Sequence, residues 1–196
     1  HSYQILGEAY FFQELYDKSL EYFLKYLDLQ ESKSKTDKLG RAYNNLGIVY
    51  RAKEDYGRAI DYYQKSLEIN LKQNNIDGLS STYNNLGVLH EHLNLYGQAR
   101  DYYQKSLEIE LKLDDIDGIS TSYLNLGAIN FKLNNYDKAL EYCYKSIDLC
   151  DSTAYKLTLE LNYETLYKIY KKIGETDKAL ESFEKFYELK NSRIND

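Results

Sequence analysis

The pair Leu-Gly returns every forty residues in this 196-residue chain, at Leu6-Gly7, Leu46-Gly47, Leu86-Gly87 and Leu126-Gly127, with a half-kept Leu166-Tyr167. Other columns keep the same beat. Tyrosine stands at Tyr3, Tyr43, Tyr83, Tyr123 and Tyr163, and a small residue at Ser19, Ala59, Ala99, Ala139 and Ala179. Phe23, Tyr63, Tyr103, Cys143 and Phe183 form a further column. A fixed period of this length means one supersecondary unit repeated along the chain, five times here, rather than one closed globule. Such arrays offer extended surfaces instead of enclosed active-site cavities.

Each period reads as two amphipathic helices, called A and B in chain order. In the second period Tyr43, Leu46 and Tyr50 recur at three- and four-residue steps, and after Lys53-Glu54-Asp55 the pattern resumes with Ala59, Tyr63, Leu67 and Leu71. Proline is absent, so nothing interrupts helix over long stretches. The spacing predicts A helices near 1–13, 37–53, 77–93, 117–133 and 154–172, and B helices near 16–30, 56–72, 96–112, 136–150 and 176–191. Asn75 and Asp115 are placed to cap, and Asp37, Asp77 and Asp117 put negative charge in the first turn of an A helix. The repeats therefore fall near 1–36, 37–76, 77–116, 117–153 and 154–196, as a single array without an interdomain linker. The second and third are near-copies, since the run Asp61 to Ile69 reappears at 101–109.

Composition removes several function classes. The net charge of −6, with acids and bases interspersed, provides no basic footprint for nucleic acid. No apolar run approaches the roughly 20 residues that span a bilayer. The two cysteines, Cys143 and Cys150, lie about 10 Å apart along one helix and cannot pair with each other. That favours a reducing compartment, so a cytoplasmic location is expected, with a periplasmic sensor domain as the alternative. No Gly-rich phosphate loop, Ser-His-Asp arrangement or distinctive carboxylate pair is present, so the chain reads as a binding segment rather than an enzyme, with no cofactor. His90 and His92 diverge by about 200° on a helix and cannot share a metal ion; His90 instead takes a core tyrosine's place. The chain opens on His-Ser and contains no methionine, which predicts a piece of a longer protein.

Tyr43-x-x-Leu46-Gly47-x-x-Tyr50 followed by Ala59-x-x-x-Tyr63 resembles the tetratricopeptide repeat (TPR) pattern of Trp/Tyr, Leu-Gly, Tyr, Ala and Phe over essentially the whole chain. The resemblance implies an all-α fold, a right-handed α-solenoid of five helical hairpins. The forty-residue form with Asn-Asn-Leu-Gly is similar to kinesin light chain, to LGN-type scaffolds and to bacterial Rap-type regulators and sensor kinases. Two features depart from the pattern: the usual proline after helix B is missing, and forty residues rather than thirty-four imply longer helices and longer B–A connections.

Asparagine is a poor helix-interior residue, so its recurrence one position before Leu-Gly, at Asn45, Asn85 and Asn125, asks for a reason. In the resembling scaffolds this amide points into a groove lined by A helices and binds the backbone of an extended peptide. An amide donates and accepts at once and so matches a peptide unit. The alternative is a ladder in which the asparagines bond one another. One helical step away lie three rows: Gln4, Asn44, Asn84, Leu124 and Glu164; Glu8, Ile48, Val88, Ala128 and Lys168; and Phe11, Arg51, Glu91, Phe131 and Lys171. The expected groove residues are thus Asn44, Asn45, Arg51, Asn84, Asn85, Glu91, Leu124, Asn125, Phe131, Lys168 and Lys171, with a basic stretch in the last repeat suited to an acidic partner end. A carboxylate clamp of the kind some TPR proteins use is excluded, because Gln4 and Asn44 stand where it needs lysine. The expected partner is a protein or extended peptide. A homodimer through the last helix is the second expectation, because Leu180, Phe183, Phe186, Tyr187 and Leu189 exceed what one neighbouring helix can cover.

Overall fold

The computed structural model describes residues 2–32, 38–150 and 156–195; Asp37 and the first residues expected of the second and fifth A helices lie outside the described residues. Among the described residues the fold is all-α, with helices α1 (Ser2–Phe12), α2 (Tyr16–Ser32), α3 (Leu39–Ala52), α4 (Tyr56–Lys72), α5 (Ile76–His92), α6 (Tyr96–Leu113), α7 (Ile116–Lys132), α8 (Tyr136–Leu149), α9 (Lys156–Ile173) and α10 (Thr176–Asn195). They follow the alternating A and B pattern to within a few residues. The chain divides into two compact units, residues 1–93 and 94–196. In the first, α1 pairs with α2 and α3 with α4, while α5 packs on α4 and α3. In the second, α6 packs on α7, α7 pairs with α8, and α9 touches α7, α8 and α10.

Turn chemistry sets the hairpins. Glu14, Glu54, Asn94, Asn134 and Gly174, forty residues apart, all adopt left-handed backbone just after an A helix. The following amide then reaches back to close the helix: Asp55 N–H donates to the Tyr50 carbonyl at 2.9 Å and Asn135 N–H to that of Asn130 at 2.9 Å. Asn74 and Asp114 repeat the device after α4 and α6. Asn75 and Asp115 cap as expected, accepting from the Gly78 and Gly118 amides at 3.1 and 3.2 Å. Two B–A connections lie wholly within the described residues and are short, three residues between α4 and α5 and two between α6 and α7. There the extra length of the forty-residue period lies in the helices, one of the two places expected for it, and not in the connection.

Leu46 and Val49 of α3 and Phe23 of α2 form the centre of the first unit's core. In the second unit Ala139 and Cys143 of α8, Leu166, Ile169 and Tyr170 of α9, and Ala179 of α10 do the same. The glycine column explains the approach of A to B. A Cβ on Gly7 would lie 2.7 Å from the Phe23 ring, one on Gly47 2.5 Å from the Tyr63 ring, and one on Gly127 2.8 Å from Cys143 Sγ. Each glycine is thus the floor on which the next helix's side chain lies. The fifth hairpin supplies the counter-example. Tyr167 occupies the glycine position, so Phe183 cannot lie flat on α9; it is 40% exposed and packs beside the Tyr167 ring at 5.3 Å, whereas Phe23 is 3% exposed.

A buried polar seam joins the B helices α4 and α8 to their flanking A helices. Ser66 of α4 donates to the Gly40 carbonyl at 2.8 Å and pairs with Thr82 of α5 at 2.9 Å, and Asn70 donates to Ser66 Oγ at 3.2 Å. In the second unit Ser146 of α8 donates to the Ser120 carbonyl at 2.8 Å and accepts from Asn162 of α9 at 2.8 Å. Unpaired buried polar atoms cost roughly 1–3 kcal/mol each, so the seam must pair internally to be tolerated.

Candidate functional site

The first unit holds an open polar groove of about 530 Å³ between its A helices. Gln4 and Glu8 come from α1, Arg41, Asn44 and Asn45 from α3, and Asp77 and Ser81 from α5, with Lys38 at the rim. Both charge signs are present. An apolar pocket of about 330 Å³ adjoins it, formed by Phe11, Phe12, Phe23 and Ile48 together with the same Glu8 and Asn45. The A helices can line a common wall because their glycine and leucine columns face the B helices, leaving the opposite stripe open.

The asparagines behave differently from one another. Asn85 of α5 donates from Nδ2 to Asn44 Oδ1 of α3 at 3.1 Å, one rung of the ladder weighed against peptide recognition. Asn45 Nδ2 is buried yet has no hydrogen-bond partner within the protein. It stands where the polar groove meets the apolar pocket. Gln4 Nε2 donates to Glu8 Oε1 at 2.9 Å, which fixes the carboxylate on the groove side of α1.

The remaining expected residues scatter. Arg51 lies near His92, with Nη1 at 3.4 Å from His92 Nε2, and its Nε is buried without a partner. The His92 ring also stacks on Tyr56 at 6.2 Å, whereas His90 Nδ1 faces the Leu86 carbonyl of its own helix at 2.8 Å, so the two imidazoles point apart. Burial pushes the Tyr63 hydroxyl up to about 12, with Arg51 acting in the opposite sense. Asn84 and Glu91 are half-buried on α5 and, like Asn125 on α7, already have interaction partners. Leu124 is half-buried on α7. Phe131 packs at the turn into α8, its ring 6.1 Å from Tyr136, as Phe11 packs on Tyr16 at 5.6 Å. Lys168 pairs with Glu164 at 2.7 Å, and Lys171 lies over the Tyr167 ring at 5.6 Å, so the basic stretch is partly neutralised by its own helix. The sequence rows missed Lys38, Arg41, Asp77 and Ser81. These occupy the start of A helices, upstream of the asparagine column, where the signal was the polar character of 38, 41, 77 and 81 and, for Asp77, its place in the repeating column with Asp37 and Asp117.

The sequence profile of the tetratricopeptide repeat matches residues 2–72, 40–112 and 118–192. The chain belongs to the TPR family. No curated protein sequence matches it. Among solved structures, BtubC (BKLC) from P. vanneervenii superposes with a TM-score of 0.86 at 19% identity, covering 99% of this chain and 80% of that one. A putative kinesin light chain from Podosopora anserina with nearly identical TPR-like repeats gives 0.78 at 12% identity, covering 100% and 96%. A Rap protein in complex with competence and sporulation factor gives 0.81 at 16% identity, covering 95% of this chain but only 52% of the Rap chain. At these identities the likeness concerns the TPR fold alone. No described helix of this TPR chain is long and apolar enough to cross a membrane.

Proposed function

We propose that this TPR chain binds an extended segment of a partner protein in the groove of α1, α3 and α5, as the interaction or sensing part of a larger signalling protein. The observation that carries the reading is Asn45: a buried amide nitrogen without a protein acceptor, placed between polar and apolar subsites. A peptide carbonyl would satisfy it, and the adjoining pocket of Phe11, Phe12, Phe23 and Ile48 would take an apolar side chain of the same segment. Lys38 and Arg41 at the start of α3, together with Glu8 of α1 and Asp77 of α5, favour a segment carrying both charges. The Rap relative's complex with competence and sporulation factor supports a regulatory setting.

The test is selection of binders from a random peptide library, followed by titration against variants. Asn45→Ala should weaken a selected peptide about fivefold or more, the scale of one lost hydrogen bond. Asn85→Ala should act less on affinity and more on stability, because Asn85 already serves Asn44. Peptides that bind wild type and Asn45→Ala equally would refute the groove assignment.

A second reading, self-association through α10, is favoured by one observation. Leu180, Phe183 and Tyr187 are 58%, 40% and 55% exposed and lie on one stripe of that helix. Light scattering of Phe183→Ser beside wild type separates it: a wild-type dimer that dissociates on substitution supports it, and a wild-type monomer removes it.

A further inference from the structure

Hairpins of this chain carry a comb of tyrosines capped by cations. Between α1 and α2, the Tyr22 ring stacks on Tyr10 at 5.3 Å and 14° and lies 6.3 Å from Tyr3. Between α3 and α4, Tyr62 stacks on Tyr50 at 5.3 Å and 6° and lies 6.2 Å from Tyr43. Lys18 covers Tyr10 at 5.3 Å, and Arg58 covers Tyr50 at 4.4 Å. Lys25 covers Tyr22 and Lys65 covers Tyr62, each at 5.2 Å.

The hairpin of α9 and α10 keeps the frame and loses the inserted ring. Tyr163 and Tyr170 stand at the positions of Tyr3 and Tyr10. Lys185 covers Tyr163 at 5.3 Å and Lys178 covers Tyr170 at 5.6 Å. The position of Tyr22 and Tyr62, however, is Ser182, whose hydroxyl donates to the Lys178 carbonyl of its own helix at 2.7 Å. A cavity of about 390 Å³ results, bounded by these five residues and by Tyr144 from α8, which places its hydroxyl 2.8 Å from that of Tyr170. This volume lies at the lower end of the range that holds small organic ligands.

We propose that this slot binds a phenol ring, carried by a tyrosine side chain of a partner or by a small phenolic molecule. The chain supplies the template, because the same tyrosine and cation frame holds a tyrosine ring in two other hairpins. The mouth asks for no charge: Lys185 pairs with Glu181 at 2.8 Å and Lys178 with Glu175 at 3.5 Å. An entering ring would gain stacking on Tyr170 and the field of both ammonium groups, and its hydroxyl would find the paired hydroxyls of Tyr144 and Tyr170 within the same cavity. The slot lies in the second unit and does not depend on the peptide groove of the first.

The probe is p-cresol, the tyrosine side chain as a free molecule, titrated into protein with isotope-labelled tyrosine rings and followed by NMR. Saturable shifts at Tyr144, Tyr163 and Tyr170, with half-saturation on the order of 1 mM, are expected for a ligand this small. Tyr10 and Tyr50, whose slots are filled, should not respond. Ser182→Tyr should restore the comb, raise the melting temperature and abolish the shifts. Ser182→Leu should weaken binding at least fivefold, and Ser182→Ala should preserve it. A tyrosine-containing pentapeptide that binds more tightly than p-cresol assigns the ring to a partner chain, and one that binds equally or less tightly assigns it to a free phenol. Absence of saturable shifts up to the solubility limit, shifts that persist in Ser182→Tyr, or equal shifts at Tyr10 and Tyr50 would overturn the proposal.

Discussion

Substituting alanine for glycine along this chain should give three different results, ordered by what each new methyl meets. At Gly97, near the start of α6, nothing lies within 4 Å, so only backbone entropy changes and alanine should stabilise by up to about 1 kcal/mol. At Gly127 the methyl would stand 2.8 Å from Cys143 Sγ. That side chain is small, so the helix-propensity gain of about 1 kcal/mol should be roughly cancelled. At Gly47 the methyl would meet three atoms of the Tyr63 ring at 2.5 to 3.0 Å. Tyr63 is fully buried and cannot swing away without moving α4. Overpacking of this kind costs about 1–3 kcal/mol, which leaves a net loss of up to about 2 kcal/mol after the helix gain. Urea unfolding followed by circular dichroism reads all three, and the double variant Gly47→Ala with Tyr63→Leu should recover part of the loss through a coupling between the two sites. If Gly47→Ala is as stable as Gly97→Ala, close approach of the hairpin helices does not explain the glycine column.

Glu54→Gly should stabilise by about 0.5–1 kcal/mol, because Glu54 holds a φ of 60° that glycine adopts without strain; an unchanged urea midpoint would count against this. Burial pushes the Cys143 thiol up to about 12, so the unfolded chain ionises first as pH rises and stability should be complete below about pH 9 and fall above it; Cys143→Ala should flatten the first part of that fall in urea titrations at stepped pH. The same burial should keep Cys143 unreactive toward thiol reagents in the folded protein at pH 8, with reaction appearing only on denaturation. Ser66→Ala should destabilise by about 1–3 kcal/mol, since it leaves Thr82 and Asn70 with fewer partners in the seam.

Much of the fold was legible because its determinants repeat. Leu46, Ala59 and Tyr63 recur at fixed spacing and are fully buried, and the caps at Asn75 and Asp115 use residue types whose role is local. The left-handed turns were not legible at Glu14 and Glu54, where an ordinary residue accepts a strained φ because the backbone bonds around it close the helix. The seam was hidden for another reason: Ser66 and Thr82 look like surface residues until the partner helix arrives. In the groove, the asparagine column was visible as an oddity of helix composition, but which amide is bonded and which is open depends on the distance between α3 and α5. Phe131 shows what counting positions leaves out, since α8 starts five residues later and brings the Tyr136 ring against it.

The polar seam has a consequence for a chain whose repeats are near-copies. Because residues 61–69 and 101–109 are the same, apolar contacts alone would let one B helix dock where the other belongs. The residue that follows this shared run distinguishes them. After α4's copy comes Asn70, which accepts from Asn75 at 3.0 Å; after α6's copy comes Glu110, which accepts from Ser106 at 2.8 Å and approaches Gly118. A swapped pairing would set the Glu110 carboxylate where Asn70 accepts from Asn75, losing that hydrogen bond, or the Asn70 amide beside Gly118 where the Glu110 side chain packs. The seam thus works as an address written on each helix, directing nearly identical segments to their own places while the chain folds.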